Sequence, residues 1–124
     1  MLADWRTNAR RRLMQVFDIA AGSSYAQQDW TSQVQGCDGL LEANSPGFVY
    51  DPVQDRLVGW PGGDDIYLLD LDQKRCTTVR YTGGPGAQVE NGTFGRFRYI
   101  TALNVFALVN DANKNAYVLR LTKP

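Results

Sequence analysis

The chain has 124 residues, of which 44% are apolar, 21% are charged and none is histidine. This length is typical of one globular domain, which can bury about two thirds of its unfolded surface. The absence of histidine excludes His-based triads and His-ligated metals. The aspartates at 64–65 and 70–72 fit a calcium loop poorly, because such a loop needs about five or six converging oxygens. We therefore expect no metal and no other cofactor.

Hydropathy and cysteine content bear on the cellular compartment. The longest apolar stretches, such as 105–109, are far shorter than the roughly 18 residues of a membrane-spanning helix. The arginines near the N-terminus are not followed by a long apolar segment, which argues against a secretory signal. We therefore predict a cytoplasmic protein without membrane contact, in which Cys37 and Cys76 are free thiols.

The net charge is zero, but the charges are divided along the chain. Residues 38–72 contain eight acidic residues and one arginine, and residues 73–124 contain eight basic and two acidic residues. Opposite charges of this kind attract within one chain or between chains, although separate solvated faces remain an alternative. A nucleic-acid partner is not expected, because the basic run 96–99 alternates like a strand.

The N-terminal segment allows two interpretations. Apolar residues between positions 2 and 20 recur at spacings of three and four, which predicts an amphipathic helix. However, segment 16–19 is similar to segment 68–71, which has the composition of a strand. Both alternatives stay open: we favour a strand over 13–19 and keep a short helix over 2–12.

From residue 46 onwards the pattern is that of antiparallel strands. Four short apolar or β-branched runs lie between residues 47 and 81, separated by turns rich in Pro, Gly and Asp. Short strands joined by tight turns predict an all-β fold, and the simplest arrangement is a four-stranded meander.

The same pattern recurs after residue 95. Three pairs of segments match at offsets of 49 or 50 residues, namely 48–50 with 97–99, 57–60 with 106–109, and 66–71 with 116–121. A repeat of about 50 residues is typical of a β-propeller blade, which buries its faces by stacking on neighbouring blades.

Segment 61–63 has the sequence Pro-Gly-Gly, and Tyr67 and Asp70 follow it. This order resembles the kelch blade: a double glycine, an apolar strand, an aspartate and an aromatic residue. Cys76 stands where kelch blades carry Trp, and the C-terminal copy lacks the glycine pair. The resemblance implies a partial propeller of about two blades. The single domain 1–124 is expected to comprise an N-terminal segment with the outer strands of a partial blade (1–45, strands near 13–19 and 28–35), a complete blade (46–86) and an incomplete blade (95–124).

Two blades cannot close a ring, because propellers need about four to eight. The blade edges would be left open, and open strand edges pair with other chains. We therefore expect a homo-oligomer, in which the N-terminal strands of one chain complete the C-terminal blade of the next.

The loops after the second strand of each blade would lie at one face of a propeller, where ligands commonly bind. The candidate ligand-binding residues in these loops are Asp64, Asp65, Asn110, Asp111, Asn113 and Lys114. Ordinary polar turn tips are the alternative. No residue is predicted to be catalytic.

These features favour a non-enzymatic binding or interaction module that self-associates and takes a protein or a small molecule as ligand. The alternative function is a fragment of a sugar-directed hydrolase, lyase or epimerase, since propellers support both roles.

Overall fold

The computed structural model describes residues 14–17, 19–20, 22, 24 and 26–121. They form three antiparallel sheets and one short α-helix, which confirms the all-β prediction. The N-terminal sheet contains β1 (Gln15–Phe17) and β2 (Gln27–Asp29), and helix α1 (Asp38–Glu42) follows it. The middle sheet contains β3 (Gly47–Asp51), β4 (Arg56–Trp60), β5 (Asp65–Asp70) and β6 (Arg75–Arg80). The C-terminal sheet contains β7 (Phe97–Ile100), β8 (Val105–Leu108) and β9 (Tyr117–Leu119).

The middle sheet is the four-stranded meander that the sequence predicts, in the order β3-β4-β5-β6. Asp51 ends β3, and its carboxylate accepts hydrogen bonds from the backbone N–H groups two and three residues later, at 3.0 and 3.3 Å. Asp70 does the same at the end of β5, with both distances 2.9 Å. These aspartates close the turns because a short carboxylate reaches the backbone just ahead of it.

The C-terminal sheet has the order β7-β8-β9, which matches the first three strands of the middle sheet. In the middle sheet the Tyr50 hydroxyl donates to the Asp55 carboxylate at 2.6 Å. In the C-terminal sheet the Tyr99 hydroxyl donates to the Asn104 side-chain oxygen at 2.8 Å. Asp55 and Asn104 both adopt left-handed backbone conformations, with φ of 53° and 51°, which Asp and Asn tolerate better than most residues. The first hairpins of the two sheets are therefore built alike.

The middle and C-terminal sheets pack face to face around the larger of two apolar cores. Its buried members are Val58, Trp60, Ile66, Leu68, Phe97, Phe106 and Leu108. The rings of Phe97 and Phe106 stack with centroids 5.6 Å apart. Gly47 permits the close approach of the two sheets, because a Cβ atom there would lie 2.6 Å from the Cβ of Phe97. Full burial of each large side chain contributes about 1.5–3 kcal/mol, so this contact stabilises the packing of the two sheets.

The N-terminal segment covers the opposite face of the middle sheet. Leu40 of α1 packs against Gly59 of β4. A Cβ atom on Gly59 would lie only 2.5 Å from the Leu40 side chain, so glycine at this position lets the helix pack directly on β4. The structure has a strand within the predicted segment 13–19, but β1 covers only Gln15–Phe17. The strand predicted over 28–35 is too long, because β2 ends at Asp29 and the backbone oxygen of Trp30 then accepts two turn hydrogen bonds. The helix kept open over 2–12 lies outside the described residues.

Cys37 and Cys76 form a disulfide, so the prediction of two free thiols is wrong. The N–H of Gln35 donates to the oxygen of Lys74 at 2.9 Å, and the N–H of Cys76 donates to the oxygen of Gln35 at 2.8 Å. These bonds form a parallel bridge between the N-terminal segment and the outer edge of β6, and they hold the two cysteine Cα atoms 5.2 Å apart. Free thiols were expected from the predicted compartment, whereas the thiol state depends on this contact between distant segments.

We expect the disulfide to stabilise the fold measurably. The Cys37→Ser/Cys76→Ser variant should lose about 2–4 kcal/mol of unfolding free energy, because the unfolded chain is no longer cross-linked over 39 residues. Urea unfolding checks this value, with the wild type in reductant as the matched control. Equal stability of the oxidised wild type and the variant would contradict the structural role of the bond.

Candidate functional site

The six predicted ligand-binding residues lie in and beside two loops. Asp64 lies in the β4–β5 loop and Asp65 begins β5, whereas Asn110, Asp111, Asn113 and Lys114 lie in the β8–β9 loop. Both loops follow the second strand of their sheet, as the sequence predicts.

Asp64 and Asp65 both pair with a residue of the neighbouring strand. Arg80, at the end of β6, places its guanidinium 3.8 Å from the Asp64 carboxylate and 3.3 Å from the Asp65 carboxylate. The backbone oxygen of Asp64 also accepts a hydrogen bond from the N–H of Tyr81 at 2.8 Å. These contacts fix the ends of β5 and β6 against each other.

Asn110 holds the linker that joins the two sheets. Its side chain is buried, its Oδ1 accepts from the N–H of Val89 at 3.1 Å, and its Nδ2 donates to the oxygen of Ala87 at 3.0 Å. On the β4–β5 side, the N–H of Gly63 donates to the oxygen of Gly86 at 2.8 Å. The two loops are therefore tied to one linker, over residues 86–89, and Asn110 acts as a structural clamp there. This role has no sequence signal beyond the general tendency of Asn to bond to the backbone.

The rest of the β8–β9 loop forms an ordinary turn. The Asp111 carboxylate accepts from the N–H of Asn113 at 2.9 Å, and its backbone oxygen accepts from the N–H of Lys114 at 3.0 Å. Asn113 and Lys114 are exposed.

A cavity of about 110 Å³ lies between the middle and C-terminal sheets. Its walls include the core side chains Trp60, Phe97, Phe106 and Leu108, the edge residues Tyr117–Leu119, and the glycine-rich segment 82–85. Of the six predicted residues, only Asp64 lines it. The cavity is therefore apolar and does not gather the predicted loop residues into one site.

The edges of the middle and C-terminal sheets differ in how they are covered. The outer edge of β6 is occupied by the bridge to Gln35 and by the disulfide beside it. Among the strands that the structure describes, β9 pairs with β8 alone. We call β9 (Tyr117–Leu119) the open edge.

The C-terminal sheet ends at the open edge after three strands. The middle sheet continues with a fourth strand, β6. The face of the middle sheet that packs on the C-terminal sheet is only partly covered over β6, where Thr77 is exposed and Val79 half-buried. A groove of about 250 Å³ lies there, bordered by Leu68, Thr77, Val79 and the polar residues Gln54, Asp55, Arg56 and Asp70.

Tyr50 and Tyr67 lie on the face of the middle sheet that points away from the C-terminal sheet, and both are close to carboxylates. The hydrogen bond from Tyr50 to the Asp55 carboxylate raises the pKa of the Tyr50 hydroxyl. Burial raises the pKa of Tyr67, and the carboxylates of Asp65, Asp38 and Glu42 raise it further.

No family model, curated protein or solved structure matches the chain. The resemblance to kelch blades therefore stays a prediction. The fold itself consists of stacked antiparallel sheets, and none of the helices in the described part is long and apolar enough to cross a membrane.

We expect Asn110→Ala to destabilise the protein, because the two part-buried hydrogen bonds that its side chain makes to Val89 and Ala87 are lost. The expected cost is about 1–3 kcal/mol, measured by urea unfolding. Asn113→Ala is the matched control, since Asn113 is exposed in the same loop, and it should leave stability within about 0.5 kcal/mol. Equal effects of the two substitutions would contradict the clamp.

Proposed function

We propose that the protein is a non-enzymatic, propeller-like interaction module that self-associates through the open edge. The observation that supports this most directly is that β9 pairs with β8 alone among the described strands. Unpaired N–H and C=O groups along a strand are a template for another strand. Val118, in the middle of the edge, is 68% exposed, and no charged side chain within β9 blocks the approach of a second chain.

The alternative function, a sugar-directed hydrolase, lyase or epimerase, is less well supported. Asp55 and Asp70 both border the groove over β6, but the Asp55 carboxylate accepts from Tyr50 and the Asp70 carboxylate from its own turn. Glycosidase chemistry needs two carboxyl groups facing one cleft. The cavity between the sheets has a single carboxylate, that of Asp64, among its described walls, and this carboxylate pairs with Arg80.

A cytoplasmic location stays a prediction, and the disulfide weighs against it. Disulfides persist mainly in oxidising compartments, because the cytosol keeps most thiols reduced. Alkylation of the protein directly in lysates of its source cells, with and without reductant, distinguishes an oxidising compartment from the cytosol. Blocked cysteines before reduction favour an oxidising compartment, and two alkylated cysteines favour the cytosol.

We expect the wild type to form particles larger than one 13.9 kDa chain in light scattering at micromolar concentration. Val118→Lys should shift it to a monomer, because a lysine on an edge strand opposes pairing. The matched control is Val53→Lys: Val53 is similarly exposed, at 58%, but lies in the β3–β4 turn, so assembly should persist. A monomeric wild type would refute the proposal.

A further inference from the structure

Two partly apolar surfaces of the described chain are uncovered, and they lie on opposite sides of the stack of sheets. The first, the N-terminal surface, consists of Phe48 and Tyr50 on β3, which are 40% and 45% exposed. Register places them opposite Gly59 and Leu57, on the face of the middle sheet that α1 and β1 cover only in part. An apolar groove of about 370 Å³ separates this surface from β1, and Phe48 and Leu57 line it together with residues 14–17.

The second, the C-terminal surface, is the outer face of the C-terminal sheet. Cross-strand register aligns Arg98, Ala107 and Val118 in one row. Ile100, in the next row, is exposed along with Val118, and Arg120 follows β9 on the same side by strand alternation.

The charges around the two surfaces are opposite. The N-terminal surface has the Asp55 carboxylate bonded to Tyr50. Asp38 and Glu42 belong to α1, which rests on the same face of the sheet. The C-terminal surface carries the guanidinium groups of Arg98 and Arg120. Stacking either surface on its own copy would bring like charges together, whereas stacking one on the other pairs acids with bases.

Strand β1 and the open edge each border one of the two surfaces. β1 borders the groove beside the N-terminal surface, and its outward side chain Phe17 is 51% exposed. The open edge borders the C-terminal surface. If the C-terminal sheet of one copy occupied the N-terminal surface of another, its β9 would therefore meet the second copy's β1, and Phe17 would face the uncovered groove at Thr77 and Val79.

We propose that the partner is a second copy of this chain, bound head to tail: the C-terminal surface of one copy stacks on the N-terminal surface of the next, with β9 beside β1. This inference rests on the proposed self-association and adds which surfaces meet. The contact is heterologous, so it builds either a closed ring or an open filament. Each copy adds a middle sheet and a shared sheet, so a ring of about two to four copies would contain the roughly four to eight blades of known propellers.

Mixing two single variants tests the head-to-tail arrangement. Val118→Lys damages the C-terminal surface, and Phe48→Lys places a cation on the N-terminal surface against the arginines of the next copy. Each variant alone should self-associate at least about 100-fold more weakly than wild type, because like charges and buried lysines oppose contact. Native mass spectrometry of an equimolar mixture should show a complex of one copy of each variant, since each retains the surface that the other lacks.

The other outcomes are distinguishable. If Val118→Lys is monomeric, Phe48→Lys assembles like wild type and mixing produces no complex, two C-terminal surfaces meet each other, and the inference is wrong while the proposed function stands. If the wild type is monomeric, both fail. Circular dichroism melts confirm that each variant folds, and Tyr50→Lys, at a more exposed side chain, replaces Phe48→Lys if that variant does not. Val53→Lys is the matched control and should join wild-type assemblies.

Discussion

The face-to-face packing of the middle sheet on the C-terminal sheet determines most other features of the molecule. It buries Trp60, Phe97 and Phe106 in one core, and it requires glycine at position 47 because Phe97 occupies the space of a side chain there. The two packed sheets differ in their number of strands. Four strands face three, so the side chains of β6 remain partly uncovered beside an edge with no strand on its outer side among the described residues.

The N-terminal segment covers the opposite face of the middle sheet. The disulfide and the Gln35 bridge hold this segment to β6, so the fourth strand of the middle sheet does not end in an open edge. Leu40 of α1 packs on Gly59 and covers that part of β4, whereas Phe48 and Tyr50 of β3 stay partly exposed on the same face. The outer edge of β6 is therefore covered, whereas β9 pairs with β8 alone among the described strands, and the proposed association is directed to β9.

The local features of the fold could be predicted from the sequence, and the contacts between distant segments could not. Short apolar runs bounded by Pro, Gly and Asp predicted the strands of the middle and C-terminal sheets, because turn residues act over three or four positions. The disulfide was missed because it depends on 39 residues of intervening chain bringing Cys37 to Cys76. Helix α1 was missed because five residues are too few to show helical periodicity. The predicted loop residues lie in the two loops expected, but Asn110 binds the linker, a contact made across more than twenty residues.

Amide hydrogen exchange at two protein concentrations tests most directly whether β9 is open in one chain and covered by another. Exchange in Tyr117–Leu119 should slow as the concentration rises from nanomolar to tens of micromolar, because pairing protects the outward N–H groups. Exchange in Arg75–Arg80 should be slow at both concentrations, since β5 and the Gln35 bridge already hold that strand. Exchange in Tyr117–Leu119 that is independent of concentration would contradict the account.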